Sequence, residues 1–284
     1  MERTRGKLYI VSTPIGNLSD ITFRAIEVLK SVDLIAAEDT RHTRELLNHF
    51  EINTKLTSYH EHNKYEKSDI ILSELNSGKN VAIVSDAGTP IISDPGDELV
   101  KKAIDEEIDI TAVPGSCAVI NALVLSGLNA KSFVFVGFIS DINKKRKEQS
   151  GEIKQETRTM IFYISPHNLL KDLKFLIEVL GEDRKASLSR EMTKIHEETK
   201  RDTLKNIYDE YSKREIKGEF VLVVDGIDKV VIKEETANSW INISIKDHYD
   251  KYISEGLSDK EAIKKVALDR NVDKRQIYKE LKVK

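Results

Sequence analysis

Between Asn80 and Asp97 the chain reads Asn-Val-Ala-Ile-Val-Ser-Asp-Ala-Gly-Thr-Pro-Ile-Ile-Ser-Asp-Pro-Gly-Asp, and few folds accept residue types in that order. Val81 to Val84 is a short, largely β-branched apolar run of the kind a strand buried on both faces requires. It stops at Ser85 and Asp86, so a loop must follow. Ala87-Gly88-Thr89-Pro90 sets a flexible point beside a rigid one, and a glycine lets a ligand approach the main chain. Asp94 suits an N-cap, Pro95 suits the first helical position, and Leu99, Val100, Ala103 and Ile104 supply an apolar helix face. The stretch therefore reads strand, polar loop, helix. Ligands of open α/β sheets sit beyond the carboxyl ends of the strands, which places Asp86 at such an end with free loop amides beside it.

The same grammar recurs upstream and downstream. Leu8 to Val11 is a strand ending in Ser12-Thr-Pro-Ile-Gly-Asn17, and a helix over Thr22 to Lys30 follows. Leu34 to Ala37 delivers Glu38-Asp-Thr-Arg-His-Thr-Arg44, where Asp39 or Thr40 can cap the next helix and the arginines are natural phosphate partners. Leu56 to His60 is a third strand. His60 and His62 project to the same side of an extended segment, which raises a metal site, but no third ligand has matching spacing. A helix through Ile70 to Leu75 stops at Gly78. Asp109 to Val113 is a fifth strand, and Ser116 and Cys117 open a helix over Ala118 to Ser126, where free amides can meet a carboxylate. Cys117 has no activating partner nearby and is not expected to act as a nucleophile. This alternation predicts a mostly parallel sheet in a first domain, 1–128.

A second α/β domain is expected over 129–235. Its strands are Phe133 to Phe138, Thr159 to Ile164, Ala186 to Leu188 and the run Lys217 to Gly226, with helices at Leu169 to Leu180 and Leu204 to Tyr211. The charged stretch Asp141 to Thr157 reads as a solvated loop or helix face. Residues 236–284 form a linker and a small helical module that resembles a helix-turn-helix. Its basic last helix (Lys274, Arg275, Lys279) could lie on nucleic acid, or the module could serve as a cap or dimer contact. A formal net charge of -3 over 284 residues means that any nucleic-acid contact must use local patches. Cys117 is the only cysteine, which excludes an internal disulfide and a cysteine zinc cluster. No run approaches membrane-spanning length or a secretory signal, so a cytoplasmic protein is expected. The absence of G-x-x-x-x-G-K-[ST] and of G-x-G-x-x-G after a strand argues against P-loop nucleotidases and ordinary dinucleotide enzymes.

Five stretches together carry a family resemblance: Ser12 to Leu18, Glu38 to Arg41, Tyr59 to Asn63, Ser85 to Gly96, and Arg190 to Lys194 with Lys217-Gly-Glu219. From Lys7 to Gly226 the chain resembles the ribosomal RNA small subunit methyltransferase I family, a branch of the tetrapyrrole methylase-like class III S-adenosylmethionine enzymes. The resemblance implies a homodimer of two-domain α/β chains with the cofactor folded in the interdomain cleft. It further implies methylation of a cytidine ribose 2′-hydroxyl in the decoding region of 16S ribosomal RNA, as free RNA or small subunit.

Pro14, Asp86, Gly88, Thr89, Ser116 and Cys117 match the family's cofactor-facing positions, joined by Ile164 and Met192 from the second domain. Arg41, Arg44, His60 and Arg190 fall on the RNA side. A sulfonium methyl is already electrophilic, so no metal is expected and alignment supplies most of the acceleration. Asp39, Glu191 and Lys194 are candidates to take the hydroxyl proton. The chain departs from the family's tyrosine, glutamate, serine, proline, histidine, arginine string, which here reads Tyr163-Ile-Ser-Pro-His-Asn168. Two other readings stand beside this one. A tetrapyrrole methyltransferase would share fold and cofactor but needs neither the Glu38 to Arg44 stretch nor the helical tail. A non-enzymatic helix-turn-helix regulator would bind a small ligand in its α/β part.

Overall fold

The computed structural model describes residues 5–228, 230–231 and 237–282. Strands β1 (Lys7–Val11), β2 (Leu34–Ala37), β3 (Leu56–Ser58), β4 (Val81–Val84) and β5 (Asp109–Val113) pair in the order β3-β2-β4-β1-β5, all parallel. Every residue of β2 and β4 is buried, because helices cover both faces. On one face Leu34, Ala36, Val81 and Ile83 meet helices α3 (Lys64–Asn76) and α4 (Asp97–Asp105). On the other, Ile35, Ala37, Ala82 and Val84 meet α1 (Phe23–Ser31) and α2 (Thr40–His49). Strand alternation thus splits one apolar run between two cores. Connections leave β1 and β4 in opposite directions, so a crevice opens beyond their carboxyl ends.

The second sheet is mixed. Strands β6 (Phe133–Phe138), β7 (Thr159–Ile164), β8 (Lys185–Arg190), β9 (Glu198–Thr203) and β10 (Phe220–Val224) take the order β6-β7-β10-β8-β9, and only β6 and β7 run parallel. One face packs on α6 (Asn143–Lys154), α7 (Leu169–Leu180) and α8 (Leu204–Tyr211). The other receives α5 (Ala118–Ser126), whose Val119, Ala122 and Leu123 pack with Ile161, Val221 and Val223. The helix that follows the first sheet in sequence is therefore buried against the second. We retain 1–128, 129–235 and 236–284 as the proposed division, with α5 as the segment that ties the first two together. Leu222 is fully buried at the centre of β10. Leu222→Ala should lower unfolding free energy by about 2–5 kcal/mol, read as an earlier urea midpoint. An unchanged midpoint would contradict this placement of the core.

Several expectations shift. α4 begins at Asp97 behind Gly96 rather than at Pro95, and Asp94 is not its cap. β3 ends at Ser58, not His60. α3 begins at Lys64, six residues before the apolar run that signals it. β9 was not expected, since Glu-Thr-Lys-Arg-Asp-Thr has no apolar alternation; it is an edge strand held by six ladder pairs with β8, and charge on an edge discourages further pairing.

The C-terminal helices α9 (Ile245–Ser254), α10 (Asp259–Asp269) and α11 (Lys274–Lys282) enclose their own core of Tyr252, Ala262, Val266, Ala267 and Ile277. Of the expected linker, Thr236 lies outside the described residues. Trp240 stacks on the buried His248 with ring centroids 3.5 Å apart, and Arg270 Nε donates to His248 Nδ1 at 3.1 Å. No helix among the described residues is long and apolar enough to cross a membrane.

Candidate functional site

The loops after β1 and β4 are zipped together. Thr13 N–H donates to Gly88 O at 2.9 Å, and Gly88 N–H returns a bond to Thr13 O at 3.1 Å. Of the loop amides beside Asp86, which were expected to be free, that of Gly88 is therefore engaged. Gly88 has φ +84°, and an added Cβ would sit 3.1 Å from Ile15 Cγ2, so the position takes glycine for both conformation and space. Thr89 Oγ1 lies 3.0 Å from Ser12 Oγ and donates to Ser116 O at 3.1 Å, which fixes the loops after β1, β4 and β5 to one another.

This double loop is a wall with a cavity on each side. The larger, about 430 Å3, is lined from the first sheet by Ile15, Ala87, Ser93, Asp94 and Ala118, and from the second by Phe138, Tyr163, Ile164, Met192 and Glu219. A narrow extension of about 60 Å3 adds Gly88, Thr89 and Cys117. The second cavity, about 290 Å3, lies within the first sheet's half and is lined by Thr13, Pro14, Gly16, Leu18, Ser85, Asp86 and residues of α2. Neighbours in the chain thus face opposite ways: Pro14 and Asp86 into the second cavity, Ile15 and Ala87 into the first.

The expected cofactor residues divide accordingly. Ile164 and Met192 line the large cavity, and Gly88, Thr89 and Cys117 its extension. Pro14 and Asp86 open instead onto the second cavity, and Ser116 lines none of the three, contributing its carbonyl to Thr89. The large cavity falls in the range of about 300–1,000 Å3 common for small-ligand sites, and its mostly apolar walls carry a few polar groups. Ile164 keeps that wall apolar. Asn168 stands away from it, its Nδ2 donating to Asp141 Oδ2 at 3.4 Å.

Asp94 lines the large cavity and Asp86 the second, and Glu38 couples electrostatically to both. Burial, reinforced by the charges of Asp94 and Asp86, pushes Glu38 up to about 6. Asp94 is raised chiefly by burial, against a hydrogen bond with Ser85. Asp86 Oδ1 accepts the Asp39 N–H at 2.9 Å and so pins the start of α2 to the β4 loop. Burial also raises Tyr163, with Cys117 and Asp94 contributing, which sets this second-sheet phenol against first-sheet groups. Glu38, Asp94, Tyr163 and Glu219 were not among the expected site residues. Glu38 and Asp94 lay in the quoted motifs, but a cap explained Asp94 and nothing in sequence revealed their mutual repulsion.

The proposed proton acceptors fare differently. Asp39 caps α2, and hydrogen bonds from the Arg41 side chain and amide hold its carboxyl down at about 2, which makes it a weak base. Lys194 Nζ donates to Glu191 Oε1 at 3.0 Å and Glu219 Oε2 at 2.8 Å. Burial would lower Lys194, but these two carboxylates outweigh it and keep the ammonium charged above its usual range. Burial likewise opposes ionisation of Glu191, yet Lys194 and the Glu219 amide leave it below its ordinary value. The trio ties the turn after β8 to the residue before β10. A Cβ on Gly16 would lie 2.4 Å from Lys194 Cγ, so the β1 loop touches the turn after β8 directly.

Of the RNA-side candidates, Arg41 and Arg44 are exposed on the first turns of α2. Arg190 is on the other sheet, its Nε donating to Lys217 O at 2.7 Å. His60 is held by Asn63, whose side chain accepts the His60 N–H at 2.8 Å and lies 3.2 Å from its Nε2. Among the described residues no group of three or more His, Cys, Asp or Glu is arranged to hold a metal.

Comparison with known proteins agrees with this architecture. Residues 7–208 match the tetrapyrrole (corrin/porphyrin) methylase family. A protein of Halalkalibacterium halodurans named ribosomal RNA small subunit methyltransferase I is 49% identical over 274 residues, covering 96% of this chain and 94% of that one. Its namesake from Bacillus subtilis is 47% identical over 273 residues, covering 96% and 93%. Among solved structures, uroporphyrin-III C-methyltransferase from Thermus thermophilus, complexed with S-adenyl homocysteine, superposes with TM-score 0.56 at 17% identity over 80% of this chain and 99% of that one, which speaks to the fold. The chain belongs to the ribosomal RNA small subunit methyltransferase I family of tetrapyrrole methylase-fold enzymes.

Proposed function

We propose that this protein transfers the methyl group of S-adenosylmethionine to the ribose 2′-hydroxyl of a cytidine in the decoding region of small-subunit ribosomal RNA. The observation that carries the reading is the wall between two cavities, with a carboxyl raised to about 6 by burial and by the acidic residues that line each of them. The bound cofactor would supply an electrophilic sulfonium methyl. Gly88, Thr89 and Cys117, with Ile164, Met192 and Tyr163 from the other sheet, are the groups to hold and orient it. Apolar walls on both sides exclude water that would compete for the methyl. The acceptor oxygen is a weak nucleophile until its proton leaves. Glu38, coupled to Asp94 on one side and Asp86 on the other, replaces Asp39, Glu191 and Lys194 as the proposed acceptor of that proton, since a base works best with a pKa near the operating pH.

Labelled methyl from S-adenosylmethionine should appear in 2′-O-methylcytidine after nuclease digestion of undermethylated small subunits incubated with the protein. Label in a base, or no label with subunits, would sink the reading. RNA is further served by Arg41 and Arg44 and by the helical tail, whose last helix carries Lys274, Arg275, Lys279 and Lys282. Since the tail has its own core, a chain ending at Ile245 should keep cofactor affinity and bind RNA more weakly, by about tenfold if two or three phosphate contacts are lost near physiological salt. Equal RNA affinity of the two chains at one salt concentration would refute that role.

A further inference from the structure

We propose that the second cavity seats an amino-bearing nucleobase of the RNA strand whose ribose is methylated, an inference that rests on the methyltransferase reading above. One stripe of α2 faces the cavity: His42, Glu45, Leu46 and His49 are spaced i, i+3, i+4 and i+7 and all line it. Leu18 and Pro14 close it opposite. Imidazole rings and aliphatic side chains make walls for a flat heterocycle, the way unstacked RNA bases are commonly held. A second observation points to a ligand. Thr43 also lines the cavity, is 3% exposed, and its hydroxyl has no hydrogen-bond partner among the described residues. Buried hydroxyls are ordinarily paired, so this one is left for a group that the cavity receives.

The polar lining also selects. Glu45 and Asp86 offer carboxylate oxygens, and Asp86 uses Oδ1 for the Asp39 amide, leaving Oδ2. Carboxylates accept from an exocyclic amino group and reject a carbonyl in its place. The cavity adjoins the loop wall through Pro14 and Asp86, so a base seated there brings its sugar to the edge of the cofactor cavity.

Thr43→Val separates this role from a structural one. Valine fills the same space without the unpaired hydroxyl, so the melting temperature should hold or rise while kcat/KM on undermethylated small subunits falls about tenfold. Leu46→Trp fills the cavity and should reduce kcat/KM at least a hundredfold, with S-adenosylmethionine affinity unchanged by calorimetry in both folded variants. Wild-type kcat/KM in folded Thr43→Val and Leu46→Trp overturns the proposal. Independently of turnover, NMR titration of the full chain with 5′-CMP should shift α2 resonances, with 5′-UMP weaker and Leu46→Trp unresponsive. No response to 5′-CMP, or an equal one to 5′-UMP, also overturns it. If the wild-type protein labels no RNA yet binds 5′-CMP here, the methyltransferase reading fails and the base site stands alone.

Discussion

Asp86→Ala is expected to lower methyl transfer to small-subunit RNA by about a hundredfold, with a stability loss of only about 1 kcal/mol. Asp86 accepts the Asp39 N–H, so its carboxylate fastens the N-terminus of α2 to the β4 loop. Without it a partly buried amide loses its partner, which explains the modest stability cost. The larger effect is positional. Glu38, Arg41 and the cavity-facing stripe of α2 all depend on that tether, and a misplacement of about 1 Å can cost about a hundredfold in rate. Cofactor affinity should change little, because Asp86 faces the second cavity while the residues proposed to hold the cofactor line the first. Asp86→Asn keeps an acceptor for the amide and should restore the stability, but it turns a donor toward the second cavity where Oδ2 stood, so only part of the rate should return. Both variants remove a charge that raises Glu38, so the acid limb of the rate profile should move to lower pH. Steady-state kinetics on undermethylated subunits decide the matter. An alanine variant with wild-type kcat/KM would show that the tether is dispensable.

The second large effect falls on Glu38. Glu38→Gln should reduce kcat by about 10²- to 10⁴-fold, the span that a positioned general base contributes, while KM and cofactor affinity hold. In the wild-type protein the rate should climb as pH rises through about 6, where Glu38 becomes able to accept a proton, and this limb should be absent from the glutamine variant. Stability runs the other way. The folded carboxyl sits at about 6 against an ordinary 4.5, so the folded state binds its proton more tightly than the unfolded chain does. Its contribution is complete below about 4.5 and is lost as pH climbs through 6. Glutamine carries no such ionisation, so its melting temperature should gain on wild type between pH 5 and pH 8. A pH-rate profile in Glu38→Gln that retains the same acid limb would assign the base elsewhere.

How far the site was legible before the structure depends on the kind of signal. The β4 strand and its loop were plain, because a β-branched run that halts at Ser-Asp has few alternatives, and Gly88 indeed carries a positive φ. The capping of α2 by Asp39 was readable too. Asp94 was misjudged because Asp-Pro is a strong local helix-start signal, whereas the helix waits until Asp97 and the carboxyl turns inward beside Ser85. Asp39 looked catalytic because it stands at a strand end. Its pairing with Arg41, two residues away, was equally local but could not be ranked against a ligand role.

Sequence by itself determined the strand and helix order of the first domain, the burial of β4 and the family, since these follow from short-range patterning and from motifs that survive as strings of residues. Only the tertiary structure decided which sheet α5 serves, which side of the loop wall each residue faces, and how Asp86 and Asp94 raise the cost of ionising Glu38. The reason is physical. Helix and strand periodicities fix which face of an element is apolar but not which partner covers it, and a carboxyl's charge state depends on neighbours that lie about fifty residues away along the chain and side by side in space.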